Sequence, residues 1–387
     1  MNTPIYLDYA ATTPTAPESV AAMLPYLTQS GLFANPASTQ HCLGEAAEAA
    51  VEHARTQIAG LIGAHANDFI FTSGATESNN LAIKGIAQTY RDRGRHIITS
   101  AIEHKSVLDT CKYLENEGFS VTYLSPNREG MINTKDLLNA VTDETILVSV
   151  MHVNNETGVI QPIEQIADAL ASTNLFFHVD AAQSAGKLPI DLSKTPIDLL
   201  SISAHKFYGP EGIGGLYVRN RKKTRLTPIM HGGGQEYNLR PGTLASHQIA
   251  GMVSAFKIAH ENLLNDLEHC RQLKRTLINS LHRIEGVTLN GGQTHTLPNI
   301  LNVSFDNVGS DSLIIALRDR LAIASGSACN SGAIEASHVL RAMAIEGDRL
   351  YGAVRISFGR YTTEAEIQLA GLALIEEVTR LRALALT

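Results

Sequence analysis

Short apolar runs alternate with longer amphipathic stretches through the first two thirds of the chain. The runs are rich in Ile, Val, Leu and Phe, and the stretches between them repeat apolar residues every three or four positions. Runs of this kind are typical of strands that helices cover on both faces. The pattern therefore predicts a largely parallel sheet with strands at residues 68–73, 95–100, 120–125, 146–153, 175–180, 198–203 and 214–219, and helices at 76–93 and 106–117.

A different pattern follows this region. Residues 247–283 are helical in pattern almost throughout, which is longer than a usual globular helix, so we expect a break or bend within them. The remainder has an α+β pattern, with strands at residues 300–305, 321–325 and 353–358 and a closing helix from Thr363. We therefore expect an α/β protein with a large domain over residues 15–259 and a smaller α+β domain over residues 1–14 and 260–387.

Composition and charge narrow the class of protein. The chain has 387 residues, of which 44% are hydrophobic, enough to build the cores of two domains. A net charge of −7 argues against direct nucleic-acid binding, which requires a basic surface. The start, "MNTPIYLDYAATTP", has no signal-peptide pattern, and no apolar run reaches the ~20 residues that span a bilayer. We therefore expect a cytoplasmic protein without a membrane partner.

The four cysteines lie far apart in the sequence. Cys42, Cys111, Cys270 and Cys329 form no C-x-x-C pair, so no zinc site or self-held iron–sulfur cluster is expected. Unclustered cysteines suit a reducing compartment, and the first three are interpreted as ordinary small apolar residues. Cys329 differs, because the segment "SGSACNSG" surrounds it with small residues that form no hydrophobic wall.

Polar residues follow several of the predicted strands. Ligands of open α/β sheets collect at the carboxyl ends of the strands. The segment "FTSGATESNN" (71–80) ends a strand, turns on Gly74 and opens a helix at Thr76. The free backbone amides at that helix start make either an anion site or merely a capped helix.

Two further strands end in ionisable residues. Asp180 follows an apolar run in "HVDAAQ", and His205 and Lys206 follow another in "SISAHKFYGP". Taken singly, Asp180 could be a cap, His205 a satisfied core histidine and Lys206 a lysine that reaches the surface. Together, a desolvated lysine nucleophile, a carboxylate and an anion-binding helix start match one ligand, pyridoxal 5'-phosphate (PLP).

With these motifs assembled, the sequence closely resembles the group I cysteine desulfurases of the NifS/IscS type, which are class V, fold type I PLP enzymes. The resemblance extends almost from end to end, through "YLDYAATTP", "ANPAS", "FTSGATESNNLAIKG", "EHKSVLDTC", "MHVNNETG", "HVDAAQSAGKLPIDL", "SAHKFYGPEGIGGLYV", "HGGGQE", "SGSAC" and "VRISFGR". It implies a homodimer that converts L-cysteine to L-alanine. The sulfur would pass as an enzyme persulfide to an acceptor protein for iron–sulfur cluster assembly, tRNA thiolation or DNA phosphorothioation.

The resemblance also implies a role for each residue of the cofactor site. Lys206 would bond covalently to PLP, Asp180 would pair with the pyridine nitrogen, and His104 would stack over the ring and transfer protons. Gln183 would bind the phenolic oxygen of the ring. The implied phosphate ligands are Ala75, Thr76, Ser203, His205 and, from the neighbouring subunit, Thr243.

Three further residues are assigned to the substrate. By the resemblance, Asn155 and Arg355 would bind the carboxylate of cysteine, which the planar fork of an arginine suits. Cys329 would attack the substrate sulfur as a thiolate. The small residues around it would let one loop, about residues 325–337, reach both the buried site and an acceptor.

Two other functions stay open. A selenocysteine lyase or a transaminase of class V would use the same cofactor site, although Cys329 disfavours the transaminase. A non-catalytic partner-binding homologue is disfavoured because Lys206, Asp180, His104 and Cys329 are all present. The ending "RLRALALT", and Pro241 where many relatives carry Ser, lead us to expect a dedicated sulfur acceptor over a general iron–sulfur scaffold.

Overall fold

The structure is a computed structural model that describes residues 3–325 and 336–385. Its helices are α1 Pro17–Met23, α2 Cys42–Leu61, α3 Ala75–Thr89, α4 Lys105–Asn116, α5 Thr134–Asn139, α6 Ile163–Leu170, α7 Ser246–Glu261, α8 Leu263–Leu281, α9 Ser310–Leu317, α10 His338–Ala342, α11 Gly347–Tyr351 and α12 Glu364–Ala385. Its strands are β1 Ile5–Tyr6, β2 Phe69–Thr72, β3 His96–Ser100, β4 Ser120–Leu124, β5 Thr145–Met151, β6 Phe176–Asp180, β7 Leu199–Ser203, β8 Gly214–Val218, β9 Val287–Asn290, β10 Ile300–Phe305, β11 Leu321–Ala322, β12 Ala324–Ser325 and β13 Ala353–Ser357.

A seven-stranded sheet in the order β2-β8-β7-β6-β5-β3-β4 forms the centre of the molecule. The strands from β3 to β7 pair in parallel, and β8 is antiparallel to both of its neighbours, so the sheet is mixed but mostly parallel. Strand β8 also packs closely against its neighbour β2. Gly215 faces the ring of Phe69 so closely that a Cβ would lie 2.1 Å from Cζ.

Helices bury both faces of this sheet, as the apolar runs predicted. One face packs against residues such as Val51, Ile58 and Phe256 of α2 and α7. The other face packs against Leu81 and Leu114 of α3 and α4. The double cover explains why β5 and β7 are buried at every position.

A four-stranded antiparallel sheet in the order β12-β13-β10-β9 follows in the chain. Helices α8, α9 and α12 share a hydrophobic core with it. Strand β1 pairs in parallel with β11, and this pairing attaches the N-terminal segment to the same core. The expected break in the long helical pattern occurs at Asn262, whose side chain donates to the carbonyl of Ile258.

The cysteines only partly match expectation. Cys111 in α4 and Cys270 in α8 are buried, which suits their interpretation as small apolar residues. Cys42 suits it less well, because this residue is exposed at the first position of α2, off the face that packs on the sheet. Cys329 lies outside the described residues. No helix within residues 3–325 and 336–385 is long and apolar enough to cross a membrane.

Candidate active site

A cavity of about 1120 Å³ lies at the carboxyl ends of β5, β6 and β7. Parallel strands end at the same edge of a sheet, so polar residues that follow different strands meet there. The predicted site residues that line the cavity are Ala75, Thr76, His104, Asn155, Asp180, Gln183, Ser203, His205, Lys206 and Arg355. Thr243 is exposed and does not line the cavity, and Cys329 is outside the described residues.

Asp180 is a buried carboxylate at the last position of β6. Its Oδ1 accepts from the backbone N–H of Ala182 at 2.9 Å, and its Oδ2 accepts from Nδ2 of Asn79 at 2.7 Å. These neutral donors stabilise the carboxylate without neutralising its charge. Asp180 is therefore suited to hold a protonated ring nitrogen that enters the cavity.

Lys206 lies in the short 3-10 turn Ala204–Lys206 that directly follows β7. Its Nζ donates to the carbonyls of Ala10 and Ala11, both at 2.6 Å. Burial, and next the positive charge of Arg355, lower the pKa of Lys206 to about 8. A substantial neutral fraction therefore exists near neutral pH, and a neutral amine is the form that attacks an aldehyde.

His104 caps the start of α4 with its side chain. Its Nδ1 accepts the backbone N–H of Ser106 at 3.1 Å and lies 2.9 Å from the Ser106 hydroxyl. Burial is the largest influence on His104 and lowers its pKa, while Asp180 acts in the opposite direction. The imidazole lines the cavity, and the lowered pKa favours its neutral form.

The start of α3 lies at one end of the cavity. Gly74 precedes the helix with φ 149°, a conformation that glycine alone adopts readily, and a Cβ there would lie 3.3 Å from Oγ of Ser203. The first amides of the helix, beginning with Ala75 and Thr76, have no acceptor within the helix. Ser203 and His205 line the same cavity, so hydroxyl and amide donors that suit an anion lie near one another.

Gln183 is held by partners on both ends of its amide. Its Nε2 donates to the carbonyl of Ala10 at 2.8 Å, and its Oε1 accepts from Nζ of Lys187 at 3.1 Å. Burial first, and the charge of Lys206 second, lower the pKa of Lys187 to about 7. Because Lys187 donates to the amide oxygen, the NH₂ group of Gln183 is directed toward Ala10, which lines the cavity.

Arg355 extends from β13 into the cavity and is buried. Its Nη2 pairs with Oδ1 of Asp8 at 2.7 Å, and its Nη1 donates to the carbonyl of Asn155 at 3.1 Å. Its Nε is buried and has no hydrogen-bond acceptor among the described residues. An unused donor on a held guanidinium is a ready binding site for a carboxylate.

Three residues of the site had no role in the sequence interpretation: Asn79, Ser106 and Asp8. All three lie inside the quoted motifs. Asp8 and Asn79 have partners that are distant in sequence, as in the pairing of Asp8 with Arg355, whereas Ser106 also contacts the nearby His104. A signal existed for Asn79, because it is a fully buried polar residue on the apolar face of α3. Such a residue needs a hydrogen-bond partner.

The donor set fits PLP as a ligand. An amine of lowered pKa, a buried carboxylate and a helix start with free amides all face one cavity. The aldehyde, the ring nitrogen and the phosphate of PLP require these three groups. Gly74 also leaves open the space that a side chain would occupy beside Ser203.

Comparison with known proteins agrees with this geometry. The aminotransferase class-V family model matches residues 5–369. Cysteine desulfurase IscS of Escherichia coli O139:H28 is 52% identical over 382 residues, covering 99% of this chain and 94% of that protein.

Two solved structures have the same fold. A NifS-like protein has a TM-score of 0.89 and 35% identity, covering 99% of both chains. The structure of SspA in complex with cysteine has a TM-score of 0.81 and 40% identity, covering 93% of this chain and 100% of that one. The fold is thus that of the fold type I PLP enzymes, and the chain belongs to the class-V aminotransferase family and, within it, to the PLP-dependent cysteine desulfurases.

Proposed function

We propose that the residues of this cavity carry the desulfuration of L-cysteine to L-alanine. The observation behind the proposal is that Lys206, Asp180 and His104 share one cavity with Arg355 and Asn155. PLP, when bound, supplies an electron sink that makes the sulfur of bound cysteine electrophilic. The chain's own residues bind the cofactor and substrate, transfer protons and provide the nucleophile.

Different residues of the cavity bind the four polar groups of the cofactor. Lys206 anchors the aldehyde, Asp180 holds the proton of the ring nitrogen, and Gln183 binds the phenolic oxygen. The phosphate ligands in this proposal are the helix start at Ala75 and Thr76, together with Ser203, His205 and the partner's Thr243. The free amides of α3 support this arrangement, because a helix start binds anions.

Proton transfer rests on two groups of lowered pKa. Lys206, once released from the cofactor, is an amine with a pKa of about 8 and can hold or release a proton at the substrate carbons. His104 is a largely neutral imidazole that lines the same cavity. It can transfer a second proton near the substrate thiol.

Substrate orientation rests on Arg355 and Asn155. The buried Nε of Arg355 is available to one carboxylate oxygen, while Asp8 holds the guanidinium in place. Asn155 lines the cavity and its carbonyl supports Nη1. A fixed carboxylate would direct the thiol of cysteine to one place in the site.

Cys329 is the proposed nucleophile. Its thiolate attacks the substrate sulfur and forms an S–S bond. The bond between sulfur and the β-carbon breaks, and the carbon takes up a proton to give alanine. The described cysteines fit this role poorly, because burial raises the pKa of Cys111 and of Cys270 to about 12, and Cys42 does not line the cavity.

The active unit is a homodimer in this proposal, with a large domain over residues 15–259 and a small one over residues 1–14 and 260–387. Exposed Thr243 supports it, because it lies away from this chain's own cavity and is free to reach a partner's. We place the enzyme in the cytoplasm, which the free thiols of Cys42, Cys111 and Cys270 support. The persulfide sulfur passes to an acceptor protein of iron–sulfur cluster assembly, tRNA thiolation or DNA phosphorothioation.

Mass spectrometry after cysteine treatment tests this function. The wild-type chain should release alanine and carry one extra sulfur on the peptide that contains Cys329. Cys329→Ser should keep PLP but release little alanine, while the matched control Cys42→Ser should behave as wild type. A persulfide on Cys42, Cys111 or Cys270, or full alanine release by Cys329→Ser, would contradict the assignment.

A further inference from the structure

A buried chain of hydrogen bonds joins Asp180 to His104 through two residues that the proposed function does not use. Nδ2 of Asn79 donates to Oδ2 of Asp180 at 2.7 Å and to Oγ of Ser106 at 2.9 Å. Oγ of Ser106 in turn lies 2.9 Å from Nδ1 of His104. Asn79 is fully buried, and Ser106 is 9% exposed. The cofactor-side carboxylate and the imidazole are therefore connected inside the protein.

The direction of each bond in this chain follows from the chemistry of its two ends. An ionised carboxylate only accepts, so the Asn79 amide must present its NH₂ group to Asp180. The second hydrogen of that NH₂ group points at Ser106, whose oxygen accepts it. The hydroxyl hydrogen of Ser106 is then free to be donated to Nδ1 of His104.

The backbone sets the same direction independently. The N–H of Ser106 can only donate, and it points at Nδ1 of His104 from 3.1 Å. Two donors thus converge on one ring nitrogen, which must offer a lone pair to them. A hydrogen on Nδ1 would face the backbone N–H, so protonation of this nitrogen would break the cap of α4.

We propose that Ser106 is a positioning residue that keeps Nδ1 of His104 unprotonated and leaves the ring proton on Nε2. Because Nδ1 is committed to the start of α4, Nε2 is the nitrogen available to the cavity. His104 thus presents a donor to the substrate while the ring as a whole is neutral. The inference deepens the proposed role of His104 in proton transfer and rests on it.

The charges that face His104 from other elements do not set this tautomer by themselves. Asp180 from β6 and Asp109 from α4 favour the protonated ring, whereas Lys206 and His338 of α10 oppose it. These opposing charges act on the ring as a whole. The two donors from Ser106 act on Nδ1 alone, and so they select which nitrogen carries the proton.

Nitrogen-15 NMR of histidine-labelled holoenzyme tests the proposal. The His104 signal is assigned by its loss in His104→Gln, among the 15 histidines of the chain. In wild type its Nδ1 shift should be that of an unprotonated nitrogen. In Ser106→Ala the imidazole pKa should rise by about half to one unit, the equivalent of one ordinary hydrogen bond. In Ser106→Ala, the acidic limb of the profile of kcat against pH should move to higher pH only if the His104 pKa rises in this way.

Three companion variants make the result specific. Ser106→Thr keeps the hydroxyl and should restore the wild-type pKa of His104. Ser106→Cys has a weaker donor, so it should raise the His104 pKa by an intermediate amount. It also provides a test if the alanine variant does not fold. Thr110→Val is the matched control, because Thr110 is a buried hydroxyl on α4 that donates to the carbonyl of Ser106 and not to His104.

Two results would overturn the proposal: a His104 pKa that stays unchanged in Ser106→Ala and Ser106→Cys, or an equal shift in Thr110→Val. Failure of the proposed function is a separate outcome. Full turnover by His104→Gln would remove the catalytic role of His104, while the tautomer measured by NMR would still report on Ser106.

Discussion

Lys206 and Arg355 place two positive charges in one cavity. Burial is the largest influence on the pKa of Lys206, and the charge of Arg355 lowers it further, against the opposing effects of Asp8 and Asp180. The carboxylates each have other partners: Asp8 pairs with Arg355, and Asp180 accepts from Asn79. Of the two cations, the lysine is therefore the one that releases its proton more easily.

This balance predicts the pH dependence of cofactor loading. The neutral amine attacks PLP, so below about pH 8 the rate of covalent loading of apoprotein should rise roughly tenfold per pH unit and then level off. Stopped-flow absorbance of the lysine-bound cofactor measures this rate, and Lys206→Ala supplies the blank. A midpoint near the ordinary lysine value of 10.5 would show that burial does not act as described.

Arg355 should govern substrate affinity rather than cofactor affinity. Arg355→Ala removes a charge-assisted bond worth about 1.5–3 kcal/mol, so KM for cysteine should rise roughly tenfold to over a hundredfold. PLP content should stay the same, because the lysine link and the phosphate site are intact. Steady-state kinetics with cofactor quantified by absorbance check both statements.

Arg360 offers the matched control for Arg355. Its guanidinium pairs with Asp266 at 2.7 Å and lies 4.5 Å from the centre of the Tyr208 ring, and it does not line the cavity. Arg360→Ala should therefore leave KM for cysteine nearly unchanged. An unchanged KM in Arg355→Ala, or an equal increase of KM in both variants, would show that the carboxylate of cysteine does not bind to Arg355.

At the scale of elements, an unusual turn precedes Thr243 and depends on one buried ion pair. Glu236, Tyr237 and Asn238 have φ values of 46°, 59° and 65°, a left-handed run that costs non-glycine residues roughly 1–2 kcal/mol each. Glu236 pairs with Arg55 at 2.6 Å, with side chains 1% and 3% exposed, and also accepts the N–H of Phe71. These bonds hold the turn against β2 and α2.

Breaking this pair should destabilise the whole fold. Glu236→Ala leaves the buried Arg55 charge with only the half-exposed Glu52 as a carboxylate partner, and it removes the acceptor of the buried Phe71 N–H, so the free energy of unfolding should fall by about 3–5 kcal/mol. Urea unfolding followed by circular dichroism measures the change. Glu261→Ala, which breaks an exposed 3.9 Å pair with Lys257, should cost less than about 1 kcal/mol. Equal losses in the two variants would show that the turn does not depend on the buried pair.

At the scale of the whole molecule, an exposed apolar groove of about 660 Å³ lies beside the N-terminal segment. Tyr6, Val20, Leu24 and Leu27 line it, and the two leucines are 54% and 53% exposed. Exposed apolar surface of this kind is typical of protein interfaces. In the proposed homodimer, this groove is the surface that a second copy of the chain would cover.

The groove predicts how the dimer can be broken. Leu24→Asp should shift the protein from dimer to monomer in sedimentation velocity, and PLP should dissociate more readily because the partner's Thr243 is lost. Leu372→Asp on α12 is the matched control, since Leu372 is also 54% exposed, and it should stay dimeric. A wild-type chain that sediments as a monomer, or a dimeric Leu24→Asp, would contradict the homodimer.

Local sequence patterns were enough to predict where the strands lie and which residues follow them. The strands expected at 175–180 and 198–203 are present as Phe176–Asp180 and Leu199–Ser203, and the break expected within 247–283 lies at Asn262. These features depend on apolar periodicity and caps within a few neighbouring residues. For the same reason Asp180 and Lys206 could be placed at strand ends. The motifs that contain them were sufficient to recognise the family and its cofactor.

The contacts among these residues depend on folding and could not be predicted from local patterns. Asn79 and Asp180 are 101 positions apart and Asp8 and Arg355 are 347 apart, so no local pattern relates them. The exposure of Cys42, the antiparallel direction of β8 and the lowered pKa of Lys206 likewise depend on distant elements. Burial and hydrogen-bond partners arise from chain segments that meet only on folding, and the chemistry of this site is tuned by them.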